Sequence, residues 1–313
     1  MIPFFYTVSD QLVGTLQNID RLRNHILTTP LSPQKEIQYR WETMVKRIHG
    51  ITILLDLPFT QNNIAELLRS TQRTHTADEA LLLRFRDTIW WLAFDWIGSP
   101  QAISPATMRD LLEHCCGRVL PTVERQFVRA VSSLTAYLAP GNDHALVQAS
   151  VAFHQIALMS FLGTSTYPVA IAASYLYLYK SGFDLLGMAS FKKELFADKD
   201  TYDRIFQEAR RSGNLTHWNE FFAESFTSEV EKTWNRIRTK SDPLFFPSSW
   251  QLNERQKAII GALEDPQAMI NNTKVQRLFH VSQVTASRDL THLVALGVLY
   301  PHGKGRSTVY TRS

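Results

Sequence analysis

Cysteine is nearly absent from this chain: two in 313 residues, Cys115 and Cys116, side by side. A disulfide needs Cα atoms about 4.4–6.8 Å apart with converging Cβ vectors, so sequence neighbours rarely bond to each other. A disulfide framework is excluded, and nothing points to an oxidising compartment. His114 precedes the pair. Three contiguous donors with no second cluster make a poor tetrahedral site, so no metal or other cofactor is expected. The opening Met1-Ile2-Pro3-Phe4-Phe5-Tyr6 lacks a basic start and a sustained apolar run. No secretory leader is expected, and the expected location is cytoplasmic. Charge is missing altogether from Gln155 to Tyr179, 25 residues, which is long enough to span a bilayer. Ser160, Gly163, Thr164, Ser165, Thr166 and Pro168 interrupt that run, so two buried core helices are expected rather than a membrane span. The chain also lacks internal repeats and low-complexity tracts.

What is present is an ordinary globular composition, 44% apolar and 20% charged, over a length that suits two domains. Helical spacing and caps predict an almost wholly helical region over residues 1–240. Its segments are Leu12–His25, Pro33–His49, Gln61–Arg69, Ala77–Trp96, Ser104–His114, Arg125–Leu138, Ala145–Leu162, Val169–Ser181, Lys199–Ser212 and Thr216–Thr239. Ser241 to Ser249 holds two prolines and no helical period, so residues 241–250 are expected to be a linker.

Residues 251–313 carry eight Lys and Arg against four Asp and Glu, which is the whole positive excess of a chain with 33 basic and 29 acidic residues. They read as a winged helix-turn-helix, a module that commonly grips DNA. An amphipathic segment runs from Asn253 to Leu263 and a second from Asn272 to Phe279. Ser282 then supplies a hydroxyl N-cap for a third helix, Gln283 to Leu296. On that helix Ala286, Leu290, Leu293 and Val294 form one apolar face. Gln283, Thr285, Ser287, Arg288 and Thr291 occupy the other, as short polar or basic side chains that reach base edges and phosphates. Val298–Tyr300 and Ser307–Tyr310 read as strands. The basic loop His302-Gly303-Lys304-Gly305-Arg306 joins them, and Lys304 and Arg306 are expected on phosphates. Double-stranded DNA is the expected partner, and the other reading is a winged helix used for protein contacts. The stretch Val281 to Leu290 resembles the DeoR-type winged helix through the pattern VSxxTxxRDL, continued by Gly297-Val298-Leu299 and Gly303-Lys304-Gly305-Arg306.

The larger region also carries a resemblance. Tyr179-Lys180-Ser181-Gly182-Phe183-Asp184 is followed by Asp198, Tyr202, Phe206, Ala209-Arg210, Gly213-Asn214-Leu215-Thr216, Trp218 and Phe221-Phe222. This series is similar to the one that follows the central helix of Fic family nucleotidyl transferases. The resemblance spans roughly residues 35–313, with the Fic core expected over 120–240. It implies a mainly α, Fic-like helical domain followed by a small α+β winged helix domain.

That family carries HPFxDGNGRxxR at the start of its central helix. The resemblance gives the His the role of general base, the acidic residue that of metal ligand, and the arginines that of phosphate clamps. Counting back from Gly182 sets the motif against Ser160 to Ile171. His becomes Ser160, the acidic residue Thr164, Asn becomes Thr166, and the arginines become Pro168 and Ile171. Counting forward from His154 shifts the register by one, and the outcome is unchanged, because Gln155 to Tyr179 holds no His, Asp, Glu, Asn, Lys or Arg. An inhibitory segment Ser-x-x-x-Glu-Gly is similar to Val45 to Gly50, where His49 stands in place of the Glu. Ser160, Thr164, Ser165, Thr166, Pro168 and His49 are therefore vestigial positions, left with at most a small anionic or nucleotide ligand. His154, between apolar neighbours, reads as a core histidine satisfied by a backbone carbonyl.

The expectation is a DNA-binding transcriptional regulator built on a catalytically inactive Fic-like domain, a pseudoenzyme that serves dimerisation or ligand sensing and forms a homodimer. The alternatives are a nucleotidyl transferase using non-standard residues (protein AMPylation) and a protein-binding scaffold.

Overall fold

A computed structural model describes residues 3–31, 33–69, 76–97, 102–139, 141–191, 198–239, 252–263, 268–303, 305 and 308–312. The proposed linker at 241–250, together with Lys304 and Arg306, lies outside the described residues.

The helices start where side chains can satisfy their first backbone N–H groups. Ser9 caps α1 (Asp10–Thr28) and is itself held by Glu220. α2 (Pro33–Leu54) and α3 (Gln61–Arg69) follow. Thr76 and Glu79 make a reciprocal capping box for α4 (Ala77–Trp90), and Ser104 with Thr107 does the same for α5 (Pro105–Cys116). α6 spans Pro121–Leu138 and α7 Ala145–Ala157. Beyond the core helix α8 (Thr166–Lys180) come α9 (Lys199–Ser212) and α10 (Thr216–Thr239).

Two segments differ from their sequence expectation. Ala77–Trp96 is not one uniform helix: from Trp91 to Trp96 it widens into a π-helix, with Ile97 N donating to Leu92 O at 3.1 Å. The uncharged run from Gln155 splits as expected, but earlier. α7 stops at Ala157, a 3₁₀ stretch covers Ser160–Ser165, and α8 begins at Thr166, two residues before Pro168. Pro168 sits in the first turn, where its missing N–H costs nothing. Among the described residues no helix is long and apolar enough to cross a membrane.

α7 and α8 form the centre. Nearly every residue of both is buried, as befits helices apolar on all sides. The Ser174 hydroxyl lies within reach of the Ala149 carbonyl on α7 (3.1 Å) and its own Ala170 carbonyl (3.0 Å), so the helices run close together. α10 is tied to α7 by Trp218 Nε1 donating to Ser150 O at 3.1 Å and by Ser150 Oγ donating to Asn219 Oδ1 at 2.7 Å. The N-terminal stretch, which carried no readable motif, has a structural task. Phe5 N donates to Gly213 O and Leu215 N to Phe5 O, both at 2.8 Å, clamping the α9–α10 turn. Gly213 takes φ +69° there, and a Cβ would lie 3.1 Å from Pro3 O.

The C-terminal segment has its own small core. α11 (Glu254–Gly261) is capped by Asn253, and β1 (Ile270–Asn271) leads into α12 (Asn272–Phe279). His280 in the left-handed conformation (φ 51°) turns the chain into α13 (Gln283–Ala295). β2 (Leu299–His302) and β3 (Val309–Arg312) pair antiparallel, and β1 joins the far side of β3, giving the order β1-β3-β2. Ile259, Val275, Ala286, Leu290 and Leu293 are fully buried between these elements. The segment rests on the helical body where Tyr300 bonds to Asp95 and its ring lies 5.0 Å from that of Phe94.

Candidate functional site

α13 begins as the sequence requires, with the Ser282 hydroxyl accepting from Thr285 N at 3.2 Å. Its inner face carries Ala286, Leu290 and Leu293. Gln283, Ser287, Arg288 and Thr291 are exposed on the outer face. Thr285 is half-buried, and its hydroxyl pairs with that of Ser282 at 3.0 Å, so it serves the cap rather than standing clear. Val284, absent from the expected set, is 60% exposed on the same first turn. Its apolar character hid it from a search for polar readers.

Asp289, next to Arg288, points the other way and is 5% exposed. Its carboxylate accepts from Arg255 Nε at 2.5 Å, Gln256 Nε2 at 3.0 Å and Asn253 Nδ2 at 3.5 Å. It locks α13 onto the start of α11. The Arg-Asp pair thus divides its labour, with one charge outside and one at an internal joint. The partner lies 34 residues away, so spacing alone does not show it.

The positions expected to be vestigial do not assemble into a polar site. Ser160 and Thr164 are exposed, Ser165 is half-buried, and Thr166 and Pro168 are buried. Thr166 Oγ1 donates to Gly163 O at 2.8 Å, and Ser165 makes no side-chain cap bond to α8. Gly163 holds φ +59° and ψ −133°, a conformation that disfavours any other residue. His49 is half-buried on α2, whereas Ile171, in the position of the second arginine, is 2% exposed.

His154 is 1% exposed and faces the rings of Phe206 (4.8 Å) and Trp218 (5.6 Å). Burial drives its pKa down to about 4, against a weaker upward pull from the Phe206 backbone. It is a core histidine as expected, but neither ring nitrogen makes a hydrogen bond of good geometry, so the expected satisfying carbonyl is at most poorly aligned. A neutral, enclosed imidazole has no access to a substrate hydroxyl. His114 stacks on Trp91 at 4.3 Å, and both cysteines are free. Among the described residues no three His, Cys, Asp or Glu side chains gather as metal ligands do.

One solved structure follows this arrangement from end to end: a Fic family protein from Desulfovibrio desulfuricans G20, with a TM-score of 0.61 over 100% of this chain and 98% of that one. The fold is Fic-like. At 14% identity the likeness carries the fold and not the chemistry. No family model matches the chain. No curated protein matches it. Within the Fic-like fold, the residues that carried the sequence resemblance prove to be packing elements. Trp218 and Tyr179 are 0% and 1% exposed, and Asn214 Oδ1 accepts from Thr216 N at 3.0 Å to start α10.

Proposed function

We propose that the protein is a DNA-binding transcriptional regulator. In this reading residues 251–313 form a winged helix-turn-helix, and the Fic-like helical body serves dimerisation or ligand sensing without catalysing nucleotidyl transfer. The observation that carries the reading is the polarity of α13. Gln283, Ser287, Arg288 and Thr291 face solvent together, while its other side is sealed into a core. The short strand before α12, the hairpin after α13 and the basic excess of the segment support it. The inactive body is supported by the missing base, metal ligand and phosphate clamp, and by the enclosure of His154.

Gel retardation of the full chain on duplex fragments from around its own gene tests this at two salt concentrations. Arg288→Ala is expected to reduce discrimination between preferred and random duplex by about 1–3 kcal/mol, the worth of a bidentate base contact. Lys304→Ala and Arg306→Ala are expected to weaken all duplexes alike and flatten the salt dependence, because phosphate contacts carry no sequence information. No retardation of any duplex at about 50 mM salt removes DNA as the partner and favours a scaffold. A dimer formed through the body would set two α13 helices on half-sites about one helical turn, or a multiple, apart.

Incubation with labelled ATP, GTP, UTP or CTP and Mg²⁺ or Mn²⁺ is expected to label neither the protein nor a target. A labelled band that Ser160→Ala abolishes would establish the transferase alternative instead.

A further inference from the structure

At the far end of α8 from the vestigial loop, a cavity of about 90 Å³ opens between the helical body and the C-terminal segment. α2, α4, the π-helical turn and the end of α8 form one side, and Ala295 at the end of α13, with Leu296 and Gly297 just after it, forms the other. Its walls are unusual for a packing defect.

Arg47 on α2 is 5% exposed. Nε and Nη2 both donate to the Ala189 carbonyl, at 2.9 and 2.5 Å, and the guanidinium lies over the rings of Tyr175 (4.6 Å) and Tyr179 (5.7 Å). Among the described residues no carboxylate lies at hydrogen-bond distance from it; its burial is outweighed by Tyr179, Tyr175 and the charge of Asp184, which hold it in the charged form. Tyr179 is 1% exposed and lines the same cavity, its hydroxyl facing Arg47 without a hydrogen bond of good geometry. Buried hydroxyls are almost always paired. Arg40 adds a second cation on this wall, anchored through Nε to Leu186 O at 2.8 Å and through Nη2 to Glu36. Tyr179 lies within electrostatic reach of both Arg47 and Arg40. The one carboxylate lining the cavity is Asp184. Trp41 and Trp90 supply flat apolar surface, and the π-helical turn, a feature common at functional sites, borders it. At the end of α13 the Val294 and Leu293 carbonyls are closed by Gly297 N and Val298 N, at 2.8 and 2.9 Å.

We propose that this cavity binds a small organic anion, a carboxylate on a short apolar or aromatic body. The carboxylate would lie among Arg47, Arg40 and the Tyr179 hydroxyl, with the body against Trp41 and Trp90. A cavity of about 150 Å³ takes a benzene, so this one encloses a carboxylate and a few carbons, and the rest of the ligand sits in the open mouth. Because the ligand touches Leu296 and Gly297, its occupancy alters how α13 is presented. That second part rests on the DNA-binding reading.

The test uses the full chain with butyrate and benzoate as probes and butyramide and benzamide as neutral controls. A carboxylate is expected to raise the melting temperature by several degrees at saturation and to quench tryptophan fluorescence, and its amide to do neither. Arg47→Met is expected to abolish the response. Should that variant fail to fold, Ala93→Phe, which fills the cavity and leaves the arginines in place, decides. The site is overturned if no carboxylate shifts the protein, if the amides act equally, or if the response survives Ala93→Phe. The DNA arm is separate. Carboxylate binding with no duplex retardation overturns the DNA reading and leaves the site. With both present, duplex affinity is expected to change at least about threefold at saturating carboxylate, and an unchanged affinity overturns the coupling.

Discussion

Replacing Asp289 with alanine is expected to destabilise the C-terminal segment by about 2–4 kcal/mol while leaving the proposed DNA contacts untouched at low temperature. The carboxylate is almost wholly enclosed and serves three donors at once. Arg255 can turn to water when its partner is removed, since its side chain is 29% exposed, which keeps the loss below that of a fully buried ion pair. Gln256, at 6% exposure, has no such escape, and its Nε2 donor is left unpaired. Asp289→Asn retains an acceptor and should cost less. Thermal unfolding of the full chain, followed beside duplex retardation at low temperature, gives the contrast. Arg288→Ala should lose discrimination and keep its melting curve, whereas Asp289→Ala should lose stability and keep discrimination. If both variants lose both properties, or if Asp289→Ala melts like the parent, the assignment of one residue outward and the other inward is wrong.

That contrast also marks how far the sequence could be read. The start of α13 was visible at Ser282, because a cap is a local hydrogen bond between residues a few positions apart. The outer face of α13 followed from period alone, and the break in the uncharged run from its Gly, Ser, Thr and Pro. Three things were not visible. The π-helical turn at Trp91–Trp96 keeps an ordinary helical composition, and its five-residue bonding, such as Ile97 N to Leu92 O, reveals it. β1, two residues long, exists because β3 offers it a partner nearly 40 positions later. Arg47 sits on a helix whose sequence shows no reason for a buried charge, and its burial depends on Tyr175, Tyr179 and Ala189, brought over it from another part of the chain. The loop from Ser160 to Ser165 is the opposite case. What it lacks is plain from composition, while the packing that leaves Thr164 exposed and Pro168 buried is not.

The second large effect is expected in acid. His154 has its pKa pushed down to about 4 by burial among Phe206 and Trp218. An unfolded chain would take up a proton near the ordinary histidine value of about 6.5, while the native chain refuses it until about 4. Between those values the unfolded state binds more protons, so stability rises with pH across the window. The contribution is complete above about pH 6.5 and falls away by about 3 kcal/mol on acidification to pH 4. His154→Leu removes the titrating group and fits an apolar site, so its denaturant midpoint should fall less steeply between pH 6.5 and pH 4 than that of the parent. Other carboxylates contribute to acid unfolding in both proteins and cancel in the difference. Equal slopes in parent and variant would mean that His154 takes up its proton in the native core at the same pH as in the unfolded chain. The argument that this histidine is too enclosed and too weakly basic to act as a general base would fail with it.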